Sequence, residues 1–263
     1  MPDIRYTGAL IMYEQIAAYY DLTHADLTAD IPLILQLARE TGGPVLELGC
    51  GSGRLLRPLA QSGIPVTGVD NAPAMLARAR ARLTAEPAAV RNRVTLIEAD
   101  MTDFTVDGRF PLVIIPYNTF MHLDTGQATA ALRRARACLA AGGRLFIDLA
   151  NPFAIANTPP DQLISLENSL TDPQTGDVIL HMAANRLDSA AQILHITWIY
   201  DRSPAAGGPI HRTVAQAAYH YRYPHQMQIL LQDAGFARLE MWGDYDRSPF
   251  QEESGRFLIL AST

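Results

Sequence analysis

The residues whose types and spacing carry the most chemistry lie in one run, Val45–Arg54, which reads VLELGCGSGR. An apolar strand with an acidic residue near its end breaks into glycines at alternate positions, Gly49, Gly51 and Gly53. Glycine has no Cβ to obstruct a ligand, and it tolerates the dihedrals of a tight turn. A strand entering such a turn and then a helix therefore brings backbone close to a bound molecule. A dinucleotide site needs G-x-G-x-x-G, so that a helix N-terminus can approach a pyrophosphate. Here the spacing is G-x-G-x-G, with Arg54 following the last glycine. That fits a ligand without a pyrophosphate, lying across the strand end.

Three more groups sit at the ends of later apolar runs. Asp70 ends the second, where a carboxylate can accept from two ribose hydroxyls. Asp100 ends the third and precedes Met101, pairing an acceptor for an exocyclic amine with an apolar side chain for a purine face. His122 follows the fourth and is placed to take a proton from an amine or hydroxyl. The alternative for His122 is a cap at the start of the next helix.

A parallel sheet would bring these ends together. From Val45 to about Leu149, the runs VLELG, VTGVD, VTLIEAD, LVIIP and RLFIDL alternate with helical patterns that include 54–61, 73–83 and 125–139. Such alternation predicts βαβ units with right-handed crossovers. Residues 11–40 read as helical, first through Ile11, Ile16 and Tyr19 or Tyr20, then through Ile31, Leu33, Ile34, Leu37 and Ala38. After Pro152 the pattern changes to strands near 163–171, 177–188, 191–201 and 211–222, with a hairpin turning at Asp188-Ser189. Four antiparallel strands inside an α/β chain are an insertion with a separate job. A helix near 224–234 and strands in FARLEMWG and RFLILAS close the chain.

Composition narrows the partners. The net charge is −6 and no Lys/Arg-rich run occurs, which argues against a nucleic acid. Two cysteines, Cys50 and Cys138, make no disulfide framework and suit a reducing cytoplasm. The N-terminal segment lacks the pattern of a signal peptide, and no run of 18 apolar residues is present, so no membrane partner is expected. Asp148 and Asn151 are the nearest approach to a metal set, but only Asp124 stands near Tyr117-Asn118, so no metal is expected.

Taken together, VLELGCGSGR, VTGVDNAPAML, IEADMTDF, LVIIPYNTFMHL and GGRLFIDL resemble the class I S-adenosylmethionine-dependent methyltransferases over about residues 40–150. The N-terminal YEQIAAYYD, His122 and the antiparallel insertion narrow the likeness to small-molecule enzymes such as sugar N,N-dimethyltransferases and glycine N-methyltransferase. One departure is that LTHADLTADI follows the tyrosine-aspartate pair without the basic residue usual in the sugar enzymes. The resemblance implies S-adenosyl-L-methionine as cofactor. Gly49, Cys50 and Gly51 would lie against its methionine part, and Asp70 would hold its ribose. Asn71 or Met75 would flank the adenine, which Asp100 and Met101 would bind. Backbone near Pro116 would meet the methionine amino group. Tyr20 would close the pocket, or serve only as a core aromatic. Arg54 would face the cofactor carboxylate, or lie at the surface of a helix start.

The implied architecture is α/β, a Rossmann-like three-layer sandwich with a mostly parallel seven-stranded sheet and an inserted antiparallel β cap. Residues 1–40 would form a helical lid. Residues 41–152 and 223–263 would form the cofactor-binding domain, and 153–222 the cap over the substrate site. The cap residues His181, His195, Trp198, Tyr200, Tyr219, His220 and Tyr221 read mainly as sheet packing or solvated edge. Arg222 reads as a surface salt bridge, or as a binder of a substrate anion. Tyr245 and Phe250 are candidates for a second wall. The function implied is methyl transfer to an N or O nucleophile of a small molecule, with His122 as base, and a homodimer is compatible with it. Two other readings stand beside this one. The first is a non-catalytic S-adenosylmethionine-binding protein that uses its cap as a partner interface. The second is a nicotinamide dehydrogenase, which the glycine spacing opposes.

Overall fold

The computed structural model describes residues 8–159 and 163–263. The N-terminal segment before residue 8 and the side chain of Ile11 lie outside the described residues. The elements begin with α1 (Gly8–Thr23), α2 (Ile31–Thr41), β1 (Val45–Leu48), α3 (Leu56–Gln61), β2 (Val66–Asp70), α4 (Pro73–Thr84), α5 (Ala88–Arg91), β3 (Val94–Glu98) and β4 (Phe110–Ile115). A 3-10 turn (Thr119–His122), α6 (Thr125–Cys138), β5 (Leu139–Ala150) and α7 (Pro152–Ala156) follow. The chain continues with β6 (Ile164–Thr171), β7 (Val178–Asp188), β8 (Ile193–Ser203), β9 (His211–His220), α8 (Pro224–Asp233), β10 (Arg238–Trp242) and β11 (Arg256–Ser262). Two compact units divide these elements: residues up to 28 with 156–220, and residues 29–155 with 221–263.

The larger unit is built on a seven-stranded sheet in the order β10-β11-β5-β4-β1-β2-β3. Strands β1 to β5 pair in parallel, while β11 runs antiparallel to both β5 and β10. From β1 the chain winds outward through β2 and β3, then returns to β4 on the other flank. The strand order therefore reverses between β1 and β4. A crevice opens at the carboxyl ends of two strands so placed, because their crossover helices leave on opposite faces.

Local chemistry fixes the helices that flank this sheet. In α2, Leu33, Ile34, Leu37 and Ala38 form one buried stripe, and Gly42 ends the helix in a left-handed conformation (φ 69°), its N–H donating to the Ala38 carbonyl. In α6, the Asp124 side chain accepts from the Gln127 N–H at 2.9 Å, and Gln127 Oε1 accepts from the Asp124 N–H at 3.0 Å. The cap of α6 is thus Asp124, not His122, which closes the preceding 3-10 turn.

The smaller unit is the antiparallel sheet β6-β7-β8-β9 with α1 on one face. Met12, Ile16 and Tyr19 of α1 share a core with Ile179, Tyr200, Ala215 and Ala217. The two helices expected over 1–40 consequently fall in different units, each following its own apolar stripe. Asp188 turns the hairpin as expected, its Oδ1 accepting the Ala191 N–H at 2.9 Å. Within this core the rings of His181, Tyr200 and Tyr19 stack at successive centroid separations of 4.6 Å. Both His181 ring nitrogens are buried and have no hydrogen-bond partner.

Burial pushes the His181 imidazole below its ordinary value, with Glu167 opposing. The unfolded chain then binds the proton more tightly than the folded one. This share of stability is complete above the ordinary imidazole range and declines as pH falls through it toward the depressed folded value. His181→Phe should keep the stack, raise stability by about 1 kcal/mol or more by removing unpaired polar atoms, and remove that acid-side decline. Thermal melts from about pH 5 to pH 8 check this. A variant that is less stable, or equally sensitive to acid, contradicts it.

Candidate cofactor site

Backbone leaving a parallel sheet loses its ladder partners, and its N–H groups need other acceptors. Three strand ends supply their own. Asp70 Oδ1 accepts from the Ala72 N–H at 2.9 Å after β2, Asp100 Oδ1 from the Thr102 N–H at 2.8 Å after β3, and Asn151 Oδ1 from the Phe153 N–H at 2.9 Å after β5. Each is a side chain bonding two residues ahead, which pins the loop start. The two strands beside the crevice, β1 and β4, carry no such residue and draw acceptors from their outer neighbours instead.

After β1, the Gly49 and Cys50 N–H groups donate to the Val69 carbonyl at 2.8 and 3.1 Å. The Gly51 N–H donates to Asp70 Oδ2 at 2.7 Å. Gly49, Gly51 and Gly53 have φ of 77°, 52° and 80°, all left-handed. At Gly49 a Cβ would lie 2.2 Å from Thr119 Cγ2, so only glycine lets the β1 and β4 turns touch. The Cys50 sulfur packs inward against Gly68, where a Cβ would meet it at 2.7 Å, and burial raises its thiol well above the ordinary value. Cys50 can therefore offer a ligand its backbone, not a reactive thiolate. Beneath the turn, burial pushes the Glu47 carboxyl well up, aided by Asp30 and Asp70 and opposed by Arg54. Its Oε2 is buried without a hydrogen-bond partner.

After β4, Tyr117 and Asn118 adopt φ of 41° and 65°. Two consecutive non-glycine residues in this region cost about 1–3 kcal/mol each and persist only when the surroundings hold them. Asp148 at the end of β5 is that holder. Its carbonyl accepts from the Asn118 N–H at 2.8 Å, and its Oδ2 from the Tyr117 N–H at 3.3 Å and the Tyr245 hydroxyl at 3.0 Å. Its Oδ1 takes Arg256 Nε at 2.9 Å and also Arg256 Nη2, which in turn reaches Asn118 Oδ1 at 3.0 Å. Asp148 is fully buried, and burial raises its carboxyl against the pull of Arg256. Burial opposes the Arg256 charge in turn, but Asp148 holds its guanidinium above the ordinary value. Asn151 donates to the Glu252 and Ser254 carbonyls, both at 2.7 Å.

Several expected residues have partners that sequence alone did not indicate. The Arg54 fork is bidentate on fully buried Asp30, at 2.6 and 2.5 Å, and its Cζ lies 6.0 Å from the Tyr117 ring centroid. It is not a simple surface residue. Met75 is buried, with its methyl 3.2 Å from where a Gly51 Cβ would sit. Asn71, Asp100 and Met101 are half-buried at the ends of β2 and β3. The Pro116 carbonyl accepts from the Thr119 N–H at 3.2 Å. Tyr20 belongs to the smaller unit, where its ring stacks on His24 at 4.1 Å. Arg222 is not at the surface. It is buried in the larger unit, donating to the Leu123 carbonyl at 2.7 Å with its Cζ 5.5 Å from the Phe120 ring. The roles of Asp30, Tyr117, Asp148, Tyr245 and Arg256 went unread. Their one signal was a strand-end acid in FIDLAN and an arginine heading FLIL.

Chemically, the glycine turn presents backbone beside an oriented carboxylate, and a buried acid lies beneath. These groups fit a ligand that joins an amino-acid portion to a nucleoside diol. Residues 45–143 match the family described as a methyltransferase domain. A curated relative, the cypemycin N-terminal methyltransferase of a Streptomyces species, is 26% identical over 92% of this chain and 93% of its own length. The dTDP-3-amino-3,6-dideoxy-alpha-D-glucopyranose N,N-dimethyltransferase of Streptomyces fradiae is 32% identical over 56% of this chain, which spans 55% of that protein. Among solved structures, the CcbJ methyltransferase from Streptomyces caelestis shares the fold at a TM-score of 0.75 and 24% identity, over 98% of this chain and 99% of that one. The glycine turn, the reversed strand order and these likenesses agree: residues 45–143 are similar to a methyltransferase domain, and the chain shares the fold of the CcbJ structure.

Proposed function

We propose that the chain moves a methyl group from S-adenosylmethionine onto a nitrogen or oxygen of a small molecule. The observation that carries this is the meeting of two left-handed turns at the β1/β4 crevice, through Gly49 and Thr119, each held by a carboxylate from the next strand. Two relatives are named for N-terminal and N,N-dimethyl transfer, which favours an amine acceptor. S-adenosylmethionine supplies an activated methyl on a positively charged sulfur. The chain's share is then binding, alignment and exclusion of water. Gly49, Cys50 backbone and Gly51 take the methionine part. Asp70 takes the diol, while Asn71 or Met75 flanks the adenine, with Asp100 and Met101 at its edge. Pro116 backbone meets the amino group, and Arg54 is assigned to the carboxylate. His122, half-buried at the end of the 3-10 turn, is the base for an acceptor that still carries its proton.

Calorimetry with S-adenosylmethionine, S-adenosylhomocysteine and NAD tests the cofactor. Binding of the two sulfur ligands is expected, and tight NAD binding without them overturns the reading. Asp70→Ala should weaken S-adenosylhomocysteine by about tenfold or more, since hydrogen bonds to a charged group contribute about 1.5–3 kcal/mol each. His122→Ala should leave that affinity within about twofold while lowering kcat by about 10²-fold or more. Turnover that survives in His122→Ala removes the residue from the chemistry.

We also propose a homodimer formed through the smaller unit. Leu166, Met182, Ile199 and Val214 face one another across all four strands in one apolar row, on the face opposite α1. Leu166 and Val214 are 62% and 45% exposed. The neighbouring Asp201–Arg212 pair is neutral, and an uncharged row can serve as its own complement about a two-fold axis. Light scattering should give twice the chain mass, and Leu166→Asp with Val214→Asp should halve it. A monomeric unmodified chain at about 100 μM contradicts the proposal.

A further inference from the structure

Asp148, Arg256 and Tyr245 come from the end of β5, the start of β11 and the loop between β10 and β11. They meet on the turn after β4. Asp148 accepts from the Tyr117 and Asn118 backbone, Arg256 fixes the Asn118 amide, and Tyr245 fixes the second oxygen of Asp148. The Arg256 Cζ also lies 5.2 Å from the Tyr117 ring centroid. An ion pair at such depth could be replaced by apolar packing without loss if stability were its only use. Apolar side chains, however, could not accept from the Tyr117 N–H, and the left-handed pair would then relax. Thr119 is the next residue, and its methyl group occupies the place of a Gly49 side chain. A change at Tyr117–Asn118 therefore reaches the glycine turn within one residue.

We infer that Asp148, Arg256 and Tyr245 are positioning residues for methyl transfer, acting through the Tyr117–Asn118 turn on the part of the site that meets the methyl-bearing sulfur. The inference rests on the cofactor reading of the glycine turn. S-adenosylmethionine and S-adenosylhomocysteine differ only in the transferred methyl and its charge. A change confined to overall stability weakens both alike, whereas a displaced turn changes their ratio.

The test is calorimetry of both ligands on the full chain. Tyr245→Phe and Arg256→Lys are expected to change the ratio of the two dissociation constants by about threefold or more. Tyr245→Phe leaves the Asp148–Arg256 pair intact and decides the matter alone if Arg256→Lys does not fold. Glu86→Gln is the control. Glu86 holds Arg57 and Gln61 of α3, at 2.5 and 3.0 Å, so this variant should lower the melting temperature and leave the ratio unchanged. An unchanged ratio in the folded test variants overturns the inference, as does an equal shift in the control. An unmodified chain that binds neither ligand overturns the cofactor reading, and the inference falls with it.

Discussion

Every loop at the carboxyl edge of the parallel sheet must find acceptors for N–H groups that the ladder no longer serves. The outer strands solve this with their own side chains, Asp70, Asp100 and Asn151. The two strands flanking the point of reversal cannot. A glycine turn has no side chain to offer, and Pro116 at the end of β4 offers none either. Each draws on a neighbour, β1 on Asp70 of β2 and β4 on Asp148 of β5. The turns beside the crevice are in this way held from outside it, and their own backbone is left to face a ligand. Pinning of this kind turns a loop into a preorganised site.

Buried charge is the cost of that solution. Asp30–Arg54 and Asp148–Arg256 both place a fully buried carboxylate against a guanidinium that keeps 16% exposure. Breaking such a pair costs about 3–5 kcal/mol, a large part of a typical folding free energy of about 5–15 kcal/mol. Both pairs also bracket one ring, since Arg54 and Arg256 approach Tyr117 at 6.0 and 5.2 Å. The strain of Tyr117 and Asn118 sits where these holds converge. That arrangement fits a turn whose shape matters more than its stability, and methyl transfer is a reaction governed by alignment.

Much of this was legible in the sequence because it is local. Alternating apolar runs marked β1 to β5, and the change of period after Pro152 marked the antiparallel strands. Glycine spacing marked the left-handed turn after β1, and the acids Asp70 and Asp100 marked the ends of β2 and β3. The rest depends on pairs far apart in the chain. Arg54 finds Asp30 from 24 residues away and Arg256 finds Asp148 from 108, separations over which no helical or strand period carries information. The same holds for Tyr245 over 97 residues and for Arg222, whose acceptor is a carbonyl 99 residues back. His122 was ambiguous because its competitor for the cap, Asp124, is only two residues on. The capping box with Gln127 resolves it.

The claim that joins these observations is that the β1/β4 crevice is the cofactor site, with its two turns on either side of one ligand. A crystal structure with S-adenosylhomocysteine tests it most directly. The account predicts the homocysteine part along residues 49–53, the ribose diol within hydrogen-bond distance of the Asp70 carboxylate, and the sulfur beside the Tyr117–Thr119 turn. A ligand bound elsewhere, or one that leaves Asp70 untouched, would contradict it.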